Sequence, residues 1–369
     1  MIVHILGTKS LLTADFYQLI SKSPDHNDHW FVTGMPHHSV WKNGQTGAIV
    51  GSKSLKMLAA LYRSDGIVVH GLINPSVLLI FACQPWLLKK TNWVVWGGDL
   101  YVHRFAQESL KTRLIERLRR FVLPRFGFVT TLIDGEYELA QKWYGVQGKP
   151  LRATYPVNLH QTVVPLEPRS LLEQREVSIL VGNSATKTNH HMEALDYLEQ
   201  YRDERIRIVL PLSYGFDDYE SYAENVIHYA QKKFGESAVC PLTERMPTDE
   251  YTAMLSSIDV GVFNNDRQQG MGNIFQLMRL GAKIYLRQGT LMWNHYIGMG
   301  CVVHAIDEIP GMSFDGFAYQ SDGDSRHNFD IVTSRNDLDV KIKQWQEVFA
   351  QMRFQTSKVT NRRRGGARS

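Results

Sequence analysis

Cysteine is scarce in this chain. Cys83, Cys240 and Cys301 are the only three among 369 residues, and they lie far apart. That spacing excludes a disulfide framework and a zinc site, and it fits a reducing compartment. Long apolar runs are missing too. The most apolar stretch, Ile73 to Leu88, is interrupted by Asn74, Pro75, Ser76, Gln84 and Pro85, and it falls short of the roughly 20 residues a spanning helix needs. The opening Met1-Ile2-Val3-His4-Ile5-Leu6-Gly7 has no basic segment of the signal-peptide kind and reads as a first buried strand. Internal repeats and low-complexity segments do not stand out. These absences lead us to expect a cytoplasmic protein, able at most to lie on a membrane.

Charge is unevenly spread. The net charge is +4, yet Arg353, Lys358, Arg362, Arg363, Arg364 and Arg368 put six positive charges and no acid into the last stretch, leaving 4 − 6 = −2 for the rest. Such a tail (355–369) is either a disordered end or an electrostatic contact with anionic lipid headgroups, worth about 1 kcal/mol per basic residue.

What is present is alternation. In the first half Ile2–Leu6, Trp30–Thr33, Gly66–His70, Trp93–Trp96, Phe128–Leu132 and Leu151–Thr154 are predicted strands, several of them continuously apolar as in a parallel sheet buried on both faces. Helical stretches such as Ser54–Tyr62 and Gly135–Trp143 lie between them. The pattern lapses over 161–176 and then resumes with predicted strands at Val177–Val181, Arg207–Leu212, Ala238–Cys240, Val260–Phe263 and Lys283–Leu286. The expectation is two doubly wound α/β domains, 1–160 and 177–335, joined by that linker. A last amphipathic helix (336–354) carries Leu338, Ile342, Trp345, Phe349 and Met352 on one face. Its pattern does not decide which domain it packs on.

Two loops in the second half suit a diphosphate. Arg267-Gln268-Gln269-Gly270-Met271-Gly272 follows a predicted strand and opens a predicted helix. Glycine backbones approach a ligand closely there, a helix N-terminus offers unpaired N–H donors and about half a positive charge, and Arg267 adds a planar fork. The alternative is an ordinary tight turn. The second loop, Gly182-Asn183-Ser184, follows the first strand of this half, and ligands in open α/β sheets bind beyond the carboxyl ends of strands. Asn189 reads equally as a ligand contact or a helix N-cap. Tyr214 could stack on a base.

In the first half His70-Gly71 with Asn74-Pro75, and Trp96-Gly97-Gly98-Asp99-Leu100-Tyr101, occupy strand ends. A base is needed to deprotonate an acceptor hydroxyl; Asp99 is the first choice and His70 the second. Over Val102–Arg125 a predicted helix carries Leu110, Leu114, Leu118 and Phe121 in one stripe, with Arg113, Arg117 and Arg120 among its cations. Such a helix packs on a sheet or lies in a membrane interface.

Taken in order, His70-Gly71…Asn74-Pro75, Trp96-Gly97-Gly98-Asp99-Leu100-Tyr101, Leu180-Val181-Gly182-Asn183-Ser184 and Arg267-Gln268-Gln269-Gly270-Met271-Gly272 resemble the TDP-N-acetylfucosamine:lipid II N-acetylfucosaminyltransferases, glycosyltransferase family 56, of enterobacterial common antigen synthesis. The resemblance runs over about residues 1–350. It implies a GT-B fold, two Rossmann-like domains facing a central cleft, and a peripheral enzyme of the cytoplasmic face of the inner membrane. It further implies a TDP-4-acetamido-4,6-dideoxygalactose donor and an undecaprenyl-diphosphate-linked disaccharide acceptor, with Trp96, Gly97, Tyr101 and Asn74 on the acceptor side. No Asp-x-Asp motif stands at a suitable strand end, so no divalent metal is expected, and Arg267 with helix dipoles takes over the cation's work. No cofactor and no nucleic-acid partner is expected. Three other readings stay open: a GT-B glycosyltransferase for another cell-surface polysaccharide, a nucleotide-sugar 2-epimerase of the same fold, and a non-catalytic membrane scaffold.

Overall fold

The computed structural model describes residues 1–6, 11–33, 48–51, 55–105, 109–157, 176–215 and 218–365. The expected linker lies outside these residues apart from Glu176, as do the side chains of the basic tail beyond Phe354. The chain forms two compact units, Met1–Gln161 with Asn336–Ser369, and Thr162–Arg335.

The first unit is built on seven parallel strands: β1 (Ile2–Leu6), β2 (His29–Thr33), β3 (Ala48–Gly51), β4 (Gly66–His70), β5 (Thr91–Val94), β6 (Phe128–Thr131) and β7 (Lys149–Arg152). Their order is β3-β2-β1-β4-β5-β6-β7. Every residue of β1 and β4 is buried, because helices cover both faces of a parallel sheet. The sequence pattern does not reveal β3, a four-residue edge strand. The second unit has β8 (Val177–Val181), β9 (Ile206–Pro211), β10 (Val239–Leu242), β11 (Val260–Phe263), β12 (Lys283–Leu286) and β13 (His304–Ala305), ordered β10-β9-β8-β11-β12-β13. In each sheet the order reverses direction once, between β1 and β4 and between β8 and β11. At such a switch point the connections leave to opposite faces and open a crevice at the strand ends.

The basic segment after Asp99 is two helices, Gly98–Phe105 and Leu110–Val122, rather than one. The second turns the start of its expected apolar stripe to solvent, with Leu110 86% and Leu114 60% exposed, while Leu118 packs against the core and Arg119 is buried. Arg119 reaches inward to donate to the carbonyls of Leu72 (2.7 Å) and Asp99. It thereby ties the helix to two strand-end loops.

The terminal helix runs Leu338–Gly365 and packs on the first unit. Trp345, Val348, Phe349 and Met352 enter one core cluster with Ile2, Phe16, Phe31 and Val68. Trp345 Nε1 donates to the Thr154 carbonyl at 3.1 Å, and Arg353 pairs with Asp25 (3.3 Å) and Asp28 (3.4 Å). Trp345 is fully buried. Trp345→Ala is therefore expected to cost about 3–5 kcal/mol, read as a lowered urea midpoint of the first unit. A loss under about 1 kcal/mol would mean that this helix adds little to that core.

Candidate functional site

The two predicted donor loops stand on adjacent strands at the switch point of the second sheet, after β8 and after β11. Gly182 ends β8 with φ +73°, and a Cβ there would stand 2.5 Å from His191 Nε2. Only glycine meets both demands. Gly270 (φ +70°) precedes the Met271–Arg279 helix; a Cβ on it would lie 3.1 Å from Asn183 Cγ. A Cβ on Gly272 would meet nothing within 4 Å, so this first turn of the helix is open to a ligand.

The loops are laced together by amides. Gln269 Nε2 donates to Asn189 Oδ1 (2.6 Å) and Asn183 Oδ1 (3.2 Å), and Gln269 Oε1 accepts from Thr188 Oγ1 (2.8 Å). Asn189 in turn donates to the Ser184 carbonyl at 2.8 Å. Asn189 is thus a brace between loops and not the N-cap of the following helix, which starts at His191 behind His190. Tyr214, half-exposed, accepts from Asn183 Nδ2 at 3.3 Å. Asn265, which the sequence pattern does not single out, donates to the carbonyls of Arg267 and Gln269 and so shapes the loop. Arg267 lies 8% exposed beside it, with Nη1 on the Gln268 carbonyl. Asn265 Oδ1, Gln268 Oε1 and His191 Nε2 are buried with no hydrogen-bond partner among the described residues. Burial holds the His191 ring well below the usual histidine range, down to about 3.

In the first unit the expected proton acceptors are sealed. Asp99 is fully buried, and its carboxylate accepts from Leu72 N (2.8 Å), Trp93 Nε1 (2.6 Å) and Trp96 N (2.8 Å). It clamps the loops after β4 and β5 and presents no open oxygen to a substrate. His70 is also fully buried, with Nε2 3.0 Å from His4 Nδ1 and Nδ1 2.5 Å from Tyr155 OH. The string continues from His4 Nε2 to His29 Nδ1 (2.8 Å), and His29 Nε2 lies 3.2 Å from the Asp25 carboxylate. At its other end Trp96 Nε1 donates to Tyr155 OH at 2.9 Å. An indole N–H only donates and a carboxylate only accepts, so the ends polarise the string in one direction. Each histidine then carries its proton on Nε2.

The other acceptor-side residues scatter in role. Gly97 adopts φ +70° in the clamped loop. Tyr101 is buried edge-on against Trp143. Asn74 caps the Pro75–Cys83 helix, accepting from Ser76 N at 2.9 Å. Arg113, Arg117 and Arg120 are exposed on the Leu110–Val122 helix, where Arg120 pairs with Glu116 at 3.4 Å.

A family model described as 4-alpha-L-fucosyltransferase, glycosyl transferase group 56, matches residues 44–307. The chain belongs to glycosyltransferase family 56. Solved structures share its fold at low identity. Anabaena Alr3699/HepE in complex with UDP and glucose is 10% identical with a TM-score of 0.66, over 95% of this chain and 99% of that one. WaaG, a glycosyltransferase involved in lipopolysaccharide biosynthesis, is 10% identical with a TM-score of 0.61, over 94% and 99%. A UDP-forming trehalose-phosphate synthase from Burkholderia xenovorans is 10% identical with a TM-score of 0.61, over 96% and 99%. The family 56 chain is accordingly a glycosyltransferase of GT-B type, with two Rossmann-like domains.

The buried titratable groups of the first unit predict its pH stability. Burial lowers His4, and it lowers His70 to about 3, so both stay neutral while the unfolded chain protonates below pH 6.5. Stability from these two is complete above pH 6.5 and lost as pH falls. Burial raises Glu136 from 4.5 to about 8, so its share is complete below pH 4.5 and lost as pH rises toward 8. Two histidines outweigh one glutamate below pH 6.5, and the glutamate acts alone above it. The urea midpoint should therefore peak near pH 6.5, with slopes of about 1.4 kcal/mol per pH unit on each side. Glu136→Gln should flatten the alkaline side and steepen the acid side above pH 4.5 toward about 2.8 kcal/mol per pH unit. An unchanged alkaline slope in that variant would remove Glu136 from the account.

Proposed function

We infer that this family 56 glycosyltransferase moves 4-acetamido-4,6-dideoxygalactose from a TDP-sugar to an undecaprenyl-diphosphate-linked disaccharide (lipid II) in enterobacterial common antigen synthesis. The observation carrying the donor side is the pair of loops after β8 and β11, held together by Gln269 at the switch point. The open first turn of the Met271–Arg279 helix and Arg267 supply N–H donors and a guanidinium for the two phosphates. As TDP departs, these groups neutralise the growing negative charge without a divalent ion. That HepE was solved with UDP and glucose supports a nucleotide-sugar donor. Thymine as the base and the identities of donor sugar and acceptor rest on the motif resemblance.

The acceptor would arrive on a membrane. No helix among the described residues is long and apolar enough to span one. The Leu110–Val122 helix instead turns Leu110 and Leu114 outward, with Lys111, Arg113, Arg117 and Arg120 around them. Apolar side chains flanked by cations suit the boundary between acyl chains and anionic headgroups. That surface supports a peripheral membrane enzyme; the cytoplasmic face of the inner membrane is what the motif resemblance implies.

With purified protein, radiolabelled TDP-sugar and polyprenyl-diphosphate disaccharide, label should move into the lipid, and it should do so in EDTA. Isomerised free sugar would favour a 2-epimerase, and no change a scaffold. Arg267→Ala should weaken TDP binding tenfold or more, as loss of a charge-assisted bond of about 1.5–3 kcal/mol requires, and Arg267→Lys should restore part of it. Unchanged TDP affinity in calorimetry would overturn the donor-loop assignment. The triple variant Arg113→Glu, Arg117→Glu, Arg120→Glu should lose flotation with phosphatidylglycerol vesicles while keeping TDP affinity. Equal flotation would sink the docking surface.

A further inference from the structure

The second unit holds a group of ionisable side chains that the donor loops do not use. His190, Glu193, Asp266 and Arg287 come from the turn after β8, the helix that follows it, and the loops after β11 and β12. They share the carboxyl end of the sheet with the phosphate loops. All four are partly exposed, between 26% and 39%, unlike the sealed Asp99 and His70 of the first unit.

His190 is the unusual member. It takes a left-handed backbone, φ 48° and ψ 45°, one of only two non-glycine residues among those described to do so. It closes the Lys187–Asn189 turn in this conformation, which is strained for a residue with a Cβ and is kept where neighbours impose it, often at functional sites. Here Asp266 Oδ2 accepts from His190 Nε2 at 2.6 Å. A carboxylate on Nε2 fixes the proton there and leaves Nδ1 as the basic nitrogen. Glu193 would be the competing partner, but its Oε2 stands 3.9 Å from Nδ1. It is drawn away by Arg287 Nη2 (2.7 Å) and Asn264 Nδ2 (3.0 Å). So Nδ1 is oriented by one carboxylate, spared by the other, and reachable by solvent.

We propose that the His190–Asp266 pair is the proton acceptor for the incoming sugar hydroxyl, with His190 the catalytic residue and Asp266 the positioning residue. This rests on the glycosyl-transfer reading above. As the acceptor oxygen bonds to the anomeric carbon, its O–H proton passes to His190 Nδ1. The bond from the anomeric carbon to the phosphate oxygen breaks, and the nucleoside diphosphate leaves with that electron pair. The resulting imidazolium is held by Asp266 and returns its proton to water. Asp266, Glu193 and Arg287 are the charged groups gathered about His190, and His191 lies next along the chain.

The test uses the full-length enzyme. His190→Gln is expected to lower kcat by roughly 10²–10⁴-fold with TDP affinity unchanged, and its residual rate should lose the acid limb of the pH profile. Asp266→Asn should lower kcat and shift that limb, with little effect on donor KM. His190→Gly relieves the left-handed backbone and should be rescued in part by added imidazole, a response a merely structural residue would not give. Near wild-type kcat in His190→Gln, or an unaltered acid limb, would overturn the proposal while leaving glycosyl transfer intact. Absence of sugar transfer by the wild-type enzyme would instead remove the reading it rests on.

Discussion

The carboxamide of Gln269 is the contact on which the donor end of this molecule depends. Parallel strands β8 and β11 lie side by side, but their chain connections leave in opposite directions, and beyond the bond from Asp266 N–H to the Thr188 carbonyl (3.1 Å) it is side chains that hold the two loops to each other. Gln269 supplies that hold by donating to Asn183 and Asn189 and accepting from Thr188. A buried amide with three partners at well-formed distances has few alternative positions. It fixes the height of the Gly270 turn, and through it the start of the Met271–Arg279 helix whose first N–H groups are the proposed phosphate donors.

The first unit solves a different problem. Three histidines in the middle of a sheet would each cost several kcal/mol if left unpaired or charged. Linking them ring to ring from a donor-only indole gives every ring nitrogen but His29 Nε2 a partner in a single proton pattern, and His29 Nε2 faces the Asp25 carboxylate at 3.2 Å. The terminal helix completes the arrangement, since Trp345 and Phe349 pack on His70, His4 and His29 and Arg353 meets Asp25. Residues distant in sequence are thereby made necessary to one another.

Much of this was legible in the sequence, for identifiable reasons. Continuous apolar runs announce buried parallel strands, and glycines between strand and helix announce close backbone approach. Hence the α/β architecture and the Gly182 and Arg267–Gly272 loops were readable. β3 was not, being short and at an edge, nor was the outward start of the stripe on the Leu110–Val122 helix. Helical periodicity gives a face and not its direction, and the buried Arg119 inverts the usual rule. Asp99 looked like a base because a carboxylate after two glycines suits that role; only the three N–H donors around it show a clamp. His190 and Asp266 are 76 positions apart, and no spacing joins them.

The contrast between satisfied and unsatisfied polar groups separates structural from chemical roles here. Asp99 and Arg119 are buried with their hydrogen-bonding capacity spent, and the histidine string is paired at every ring nitrogen but His29 Nε2, which makes them strong anchors and poor reagents. Asn265 Oδ1 and Gln268 Oε1 are buried without partners among the described residues, each a cost of about 1–3 kcal/mol to the folded state, and His190 adds backbone strain. Other unpartnered atoms, such as Glu136 Oε1 and His304 Nε2, are spread through both units, but these three features share the carboxyl ends of β8 and β11. A fold under selection for stability alone has no reason to concentrate them where two connections diverge, whereas a site that must meet phosphates, hydroxyls and a moving proton does.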